Sequence, residues 1–191
     1  MNISRKDLSA GFNPFTDRRS RDIRNSLSEA LVQALAEADP AAYHRCAREW
    51  LSLDMSPAFE AYIRSRLKRY DQVMASTDNR LSSRPYAGFV DIWNRRLFFE
   101  AHEFLETIWQ RSRGDEHQAL KGLIKAAGVY VHLENDNLAA ARRLAPKALR
   151  QMKEFSHCLG FIANLEVLLS CMQRVDPKPP RLEFDDTFNP T

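Results

Sequence analysis

The sequence predicts an all-α protein, built as an array of antiparallel helical hairpins with an N-terminal helical extension. Apolar residues recur at steps of three and four over most of the 191 positions, which is the spacing of an amphipathic helix. Glycine is scarce, at 6 residues, so few positions favour the tight turns that sandwiches and barrels require. No stretch alternates apolar and polar residues for long enough to predict a strand.

The N-terminal part divides into a flexible arm at 1–16, a helical extension at 17–75 and a linker at 76–85. The arm has no sustained apolar period, and the linker is rich in polar and turn residues. Residue types that commonly start helices mark the three helices expected in the extension: Asp17, then Asp39–Pro40, then Ser56–Pro57.

A second helical domain is predicted at 86–174, followed by an irregular tail at 175–191 that contains four prolines. Four helices are expected in the domain: Tyr86 to Ser112, Asp115 to Glu134, Asn137 to Phe155 and Leu159 to Arg174. Pro146 lies inside the third pattern and is expected to kink that helix, because proline removes a backbone donor and clashes with the preceding turn.

Composition limits the classes of function that the chain can serve. The net charge is only +3, which is a weaker basic footprint than a dedicated nucleic-acid binder normally has. The three cysteines have no paired spacing, so neither a disulfide framework nor a thiolate zinc site is indicated. No apolar run is long enough to span a bilayer, and the first residues lack a secretory signal. We therefore expect a cytoplasmic protein with no membrane association and no cofactor.

Candidate site residues concentrate in the helix predicted to follow Asn94. At about 100° per residue, Ala101, Phe104 and Leu105 belong to its buried arc. His102 and Glu106 are four residues apart and share one margin of that arc, where half-burial is expected. Two further carboxylates flank this pair, with Glu103 expected toward solvent and Glu100 near the opposite margin.

The following helix carries a complementary polar stripe, with Lys121, Lys125, Gly128 and His132 at steps of four, three and four. The short connection between the two helices predicts an antiparallel pair, so that their polar margins can meet. We call the expected arrangement the polar seam, and its members are Glu100, His102, Glu103, Glu106, Lys121, Lys125 and His132.

These helices resemble an uncharacterised bacterial and archaeal family, domain of unknown function family 309. The resemblance is carried by Phe99 to Glu103, Glu106, Trp109, Gly122 to Ile124, Ala126, His132, Ala141 and Leu144. It covers roughly residues 94–155 and implies a compact all-helical domain without an established activity. The family usually has glutamine where Lys121 and Lys125 stand here.

The leading functional hypothesis is a non-catalytic interaction or scaffold protein, with a protein partner or self-association. Helical hairpins that stack tend to leave grooves for partners or for other copies. On this hypothesis the polar seam is structural, because Lys121 and Lys125 neutralise the carboxylates of the facing helix.

A metal-dependent hydrolase is the main alternative, so enzymatic activity is left open but not favoured. The string His-Glu-x-x-Glu resembles a zinc-protease pattern, with His102, Glu106 and His132 as ligands and Glu103 as the base. Lysines that face such a site would compete with the cation.

Nucleic-acid binding is the second alternative. It would use basic residues near the N-terminus, which are Arg18, Arg19, Arg21 and Arg24. Asp17 and Asp22 dilute their charge, so nucleic acid is an unlikely partner.

Overall fold

The computed structural model describes residues 11–76 and 84–188, and it confirms the all-α prediction. These residues contain eight α-helices: α1 Arg18–Glu37, α2 Ala41–Leu51, α3 Pro57–Ser76, α4 Pro85–Asn94, α5 Phe98–Trp109, α6 Gly114–Leu133, α7 Leu138–Glu154 and α8 Leu165–Arg174. The chain divides into two compact units, residues 1–78 (unit 1) and residues 79–191 (unit 2). Much of the predicted arm, at 1–10, and of the predicted linker, at 77–83, lies outside the described residues.

The helices of unit 1 begin at the residues that the sequence marks. The side chain of Asp17 accepts a hydrogen bond from the backbone N–H of Ser20, which caps α1. Asp39 Oδ1 accepts from the backbone N–H of Ala41 at 2.9 Å, and Pro57 is the first residue of α3. Buried apolar residues of α1, including Ile23, then share a core with α2 and α3.

The long helix predicted from Tyr86 to Ser112 is wrong, because the chain breaks between α4 and α5. Arg96 has a left-handed backbone with φ of 58°, which no regular helix accommodates. Asn94, at the end of α4, exchanges two hydrogen bonds of 2.8 Å with the backbone of Leu182 in the tail. The break therefore coincides with an attachment point for a segment far along the chain.

Helices α5, α6 and α7 form consecutive antiparallel hairpins. Trp109 at the end of α5 stacks on His117 near the start of α6, with ring centroids 4.5 Å apart. At the other end of this hairpin, the ring centroids of Phe98 and Tyr130 lie 5.1 Å apart. Helix α6 thus lies between two partners, since it also packs extensively on α7. Helix α7 continues through Pro146 as one element, so the proline does not end the helix.

The tail of unit 2 has no helix in its described part, but it packs against the domain. Leu182 is 2% exposed, and Trp93 Nε1 donates to the backbone carbonyl of Pro180 at 2.9 Å. Ile162 and Phe184 form an isolated antiparallel bridge. Because this bridge and a 3-10 turn occupy the preceding residues, α8 begins at Leu165 and not at Leu159.

Within the described residues, no helix is both long enough and apolar enough to cross a membrane.

Candidate functional site

Three side chains of α5 form the acidic cluster, which we define as His102, Glu103 and Glu106. The imidazole lies between the two carboxylates: Nδ1 is 3.3 Å from Glu103 Oε1, and Nε2 is 3.8 Å from Glu106 Oε1. The side chains are 28%, 32% and 40% exposed, respectively. One potential ligand atom from each residue lies within 4.8 Å of the others. The helical spacing therefore produces an accessible group of metal-ligand types on one helix.

Glu100 occupies a different environment from the rest of α5's acidic residues. It is fully buried, with 0% exposure, although its position near the opposite margin gave no reason to expect this. Helix α5 contacts both α4 and α6, so its two margins are covered to different extents. The helical period alone identifies the margins but not the neighbour that covers each.

One lysine of the predicted polar seam, Lys125, contacts α7 and not α5. Lys125 Nζ donates to Gln151 Oε1 of α7, and Gln151 Nε2 donates in turn to Gln118 Oε1 at 2.8 Å. Lys121 is exposed on the same helix. The side of α6 that carries Lys125 also carries Gly122, which packs closely against Met152 of α7. The predicted neutralisation of Glu106 by Lys125 is corrected accordingly, because Lys125 faces α7.

His132 lies in the last turn of α6, half-buried. Its burial, followed by the nearby Arg143 guanidinium, lowers the pKa of the imidazole below the ordinary value of 6.5. The group of potential ligand atoms that lie close together on α5 contains His102, Glu103 and Glu106 but not His132, which the hydrolase hypothesis had named as a third ligand.

A second charged surface is formed by residues of α6 and α7, and we call it the basic face. Its members are Lys121, Lys125, Lys147 and Arg150. Burial and the three neighbouring cations lower the pKa of the Lys125 amine, in that order of effect. Throughout the residues that the structure describes, none of these four cations forms an ion pair with a carboxylate. This surface was not predicted from the sequence, although five basic residues between 142 and 153 could have indicated it.

The arginines near the N-terminus are engaged inside unit 1. Arg18 pairs with Asp22 across one helical turn at 3.7 Å. Arg19 donates to the backbone carbonyl of Asp54 at 3.0 Å and lies over the Phe59 ring. These contacts compete with the phosphate contacts that a nucleic-acid site would require.

Unit 1 also contains an open cavity of about 230 Å³ between α1 and α2. Its lining is mixed in charge, with Glu29, Arg45 and Glu49 beside Ser26 and Cys46. Burial is the main cause that raises the pKa of the Cys46 thiol, so this cysteine is held in its less reactive protonated form.

Part of unit 2 is similar in sequence to one known protein family. Residues 86–144 match the model of a family described as domain of unknown function (DUF309). This finding confirms the resemblance, over a segment that begins earlier and ends earlier than the sequence indicates. Searches of curated proteins and of solved structures give no match. The matched segment includes the acidic cluster and both lysines of α6, whereas Lys147 and Arg150 lie beyond its end.

Proposed function

We propose that the protein is a helical interaction module that binds an acidic segment of a partner protein through the basic face. The observation that supports this proposal most directly is the environment of Lys125. Its amine is partly buried among Lys121, Lys147 and Arg150, and the structure gives it a neutral partner, Gln151.

The concentration of positive charge at this face opposes folding, because like charges at close range repel one another. Binding of an anionic group offsets that repulsion, which makes the face a favourable surface for an acidic ligand. In the family that unit 2 resembles, glutamine usually stands at Lys121 and Lys125. The charge at these two positions therefore suggests a partner preference particular to this chain.

The composition of α7 favours a protein partner over a single-stranded nucleic acid. Single-stranded sites combine basic residues with aromatic side chains on which bases stack, and α7 contains no aromatic residue. Its outer surface instead includes the exposed Pro146, which lies one helical turn from Arg150. Apolar contacts beside arginine and lysine suit a protein segment that alternates acidic and aliphatic residues.

Fluorescence anisotropy tests the proposal with a short labelled peptide that alternates glutamate and leucine. Lys147→Glu combined with Arg150→Glu should weaken peptide binding by about tenfold or more, which is about 1.4 kcal/mol, because two attractive charges become repulsive. The matched control is Arg48→Glu combined with Lys68→Glu, which reverses two exposed cations of unit 1. The control should bind the peptide as the wild type does.

Two results would contradict the proposal. Equal losses of peptide affinity in the two double variants would show that binding depends on the net charge of the protein and not on the basic face. Tighter binding of a labelled oligo-uridine with the same charge as the peptide would favour nucleic acid as the partner.

A further inference from the structure

A groove of unit 2 holds the tail as peptide-recognition domains hold an extended ligand. One side of the groove is the end of α4, with Trp93 and Asn94, and the other side is the turn at 161–164, before α8. We call it the tail groove. The part of the tail inside it, residues 180–185, is the tail segment.

The α4 side of the groove binds the backbone of the tail segment. Trp93 Nε1 donates a hydrogen bond to the carbonyl of Pro180 at 2.9 Å. The side chain of Asn94 bonds to both the N–H and the carbonyl of Leu182, each at 2.8 Å. An asparagine amide that pairs with both backbone groups of one residue replaces the neighbouring strand of a sheet.

The turn on the other side binds the intervening residues. The side chain of Asn164 donates to the carbonyl of Arg181 at 2.9 Å and accepts from the N–H of Glu183 at 3.0 Å. The N–H of Asp185 donates to the carbonyl of Phe161 at 3.0 Å. Even-numbered residues thus bond to α4 and odd-numbered residues to the turn, which is how an extended strand directs its backbone groups. The groove therefore recognises an extended chain.

Side-chain burial adds a sequence preference to this backbone recognition. Leu182 is 2% exposed, whereas its neighbours Arg181 and Glu183 are exposed. Pro180 contributes only a carbonyl to the groove, and proline has no N–H that would need a partner. Main-chain hydrogen bonds combined with a pocket for one side chain are typical of sites that bind strand-like peptides. The groove is suited to a segment with proline first and leucine third.

The hinge that joins α8 to the tail segment is conformationally restricted. Val175 has a left-handed backbone with φ of 51°, which a β-branched residue rarely adopts. Pro177 and Pro179 follow it, and the ring of each fixes φ. A short hinge under strain favours exchange of the segment beyond it between copies of a chain, because the strain is relieved when the hinge opens.

These observations favour a second copy of the chain over a foreign peptide as the partner at the groove. A foreign peptide would compete with a segment that a short tether holds at a roughly millimolar effective concentration. Reciprocal exchange instead leaves both tail grooves filled, so no contact of the tail segment is lost. We propose that the tail groove binds the tail segment of a second copy, so that two chains exchange tails. None of the four residues of the basic face takes part.

A disulfide trap between two variants of the full chain tests this inference. Ile162 and Phe184 form an antiparallel bridge, and residues paired in this way have Cα atoms about 4.5–5.5 Å apart, which a disulfide can span. Ile162→Cys should be mixed with Phe184→Cys at roughly millimolar concentration and oxidised mildly. We expect a disulfide-linked dimer of one chain of each kind, with the bond between positions 162 and 184 identified by mass spectrometry.

Two controls accompany the trap. The double variant with both cysteines in one chain should close the same disulfide within that chain, since the tail segment lies in its own groove in the monomer. The matched control mixes Ile162→Cys with Val167→Cys, whose original side chain is 48% exposed on α8. This mixture should give at least about tenfold less heterodimer, because position 167 is not part of the tail segment.

Light scattering provides a measurement without introduced cysteines. At roughly millimolar concentration the wild type should contain a dimer fraction, and Val175→Gly should lower that fraction several-fold, because glycine adopts the left-handed backbone without strain. Ala38→Gly is the matched control, since Ala38 has the same backbone conformation, with φ of 54°, at the end of α1. It should leave the dimer fraction unchanged.

Several results would overturn the inference. A 162–184 disulfide that forms in the double variant but not in the mixture would show that the tail stays in its own groove. Its absence from both samples would place the tail segment outside the groove. Trapping of a free peptide of residues 178–188 with the Phe184→Cys change, without trapping of a second chain, would favour a foreign segment. An entirely monomeric wild type in light scattering would also contradict tail exchange.

Discussion

Two charged side chains of unit 2, His102 and Lys125, lie in electrostatic environments of opposite sign. His102 lies between two carboxylates, whereas Lys125 lies among three cations. Glu100, on the same helix as His102, has no exposure to solvent at all. The amine of Lys125, which could have met the carboxylates of α5 across the hairpin, is hydrogen-bonded to Gln151 of α7 instead.

His132 should make the folded protein less stable at acidic pH. Its pKa is lowered in the folded state, so the unfolded chain binds more protons below the ordinary value of 6.5. The free energy of unfolding should therefore fall as the pH decreases from about 7.5 to about 5.5, with full stability retained above the unfolded pKa. Urea unfolding at the two pH values measures this loss, and His132→Asn should reduce it.

The control for this prediction is His157→Asn, whose original side chain is 62% exposed. This variant should lose as much stability on acidification as the wild type does. If His132→Asn also lost as much, the lowered pKa would not be the source of the acid sensitivity.

At this scale the sequence predicts the acidic cluster better than its surroundings. His102 and Glu106 are four residues apart, and helical spacing alone brings such a pair together. The partner of Lys125 depends on which side of α6 faces α7, and that is set by contacts such as Gly122 with Met152. Packing between helices, not helical period, therefore determines that Lys125 contacts Gln151 of α7 and not Glu106.

Helix α6 is shared by both hairpins of unit 2. It packs on α5 along one side and on α7 along the other. Two of its glycines face α7, but with different neighbours. A Cβ at Gly122 would lie 3.1 Å from the backbone nitrogen of Met152, whereas a Cβ at Gly128 would meet only the end of the Leu144 side chain.

Alanine at Gly122 should destabilise the protein, whereas alanine at Gly128 should not. Gly122→Ala should lower the free energy of unfolding by about 1–3 kcal/mol, because the backbone of α7 must move to admit the methyl group. Gly128→Ala should be neutral or stabilising by up to about 1 kcal/mol, since Leu144 can adjust and alanine favours the helix. Chemical denaturation of both variants provides the measurement. Similar losses at the two positions would contradict the close approach of α6 and α7 at Gly122.

Helix starts were more predictable than helix interruptions. Asp17, Asp39 and Asn137 accept hydrogen bonds from backbone N–H groups near the starts of their helices, as local sequence indicates. The break after Asn94 has no such signal, because arginine is not a residue that favours a left-handed backbone. The contact that marks it, Asn94 with Leu182, joins residues 88 positions apart.

For the whole molecule, total charge is a poor guide to the surfaces that the fold presents. The net charge of +3 indicates no particular partner, yet within the described residues the four cations of the basic face form no ion pair with a carboxylate, while α5 carries the acidic cluster. The net charge sums the charges of both surfaces, and only the arrangement of the helices shows that they are separate. The interaction function proposed here depends on that separation.

The location of binding tests this account most directly. Nitrogen–proton NMR spectra of the full chain, titrated with the glutamate–leucine peptide, report which backbone amides respond. The account predicts that shift changes concentrate at α6 near Lys121 and Lys125 and at α7 near Lys147 and Arg150, while the amides of unit 1 and of α5 change little. The largest changes in α5 or in unit 1 would contradict it.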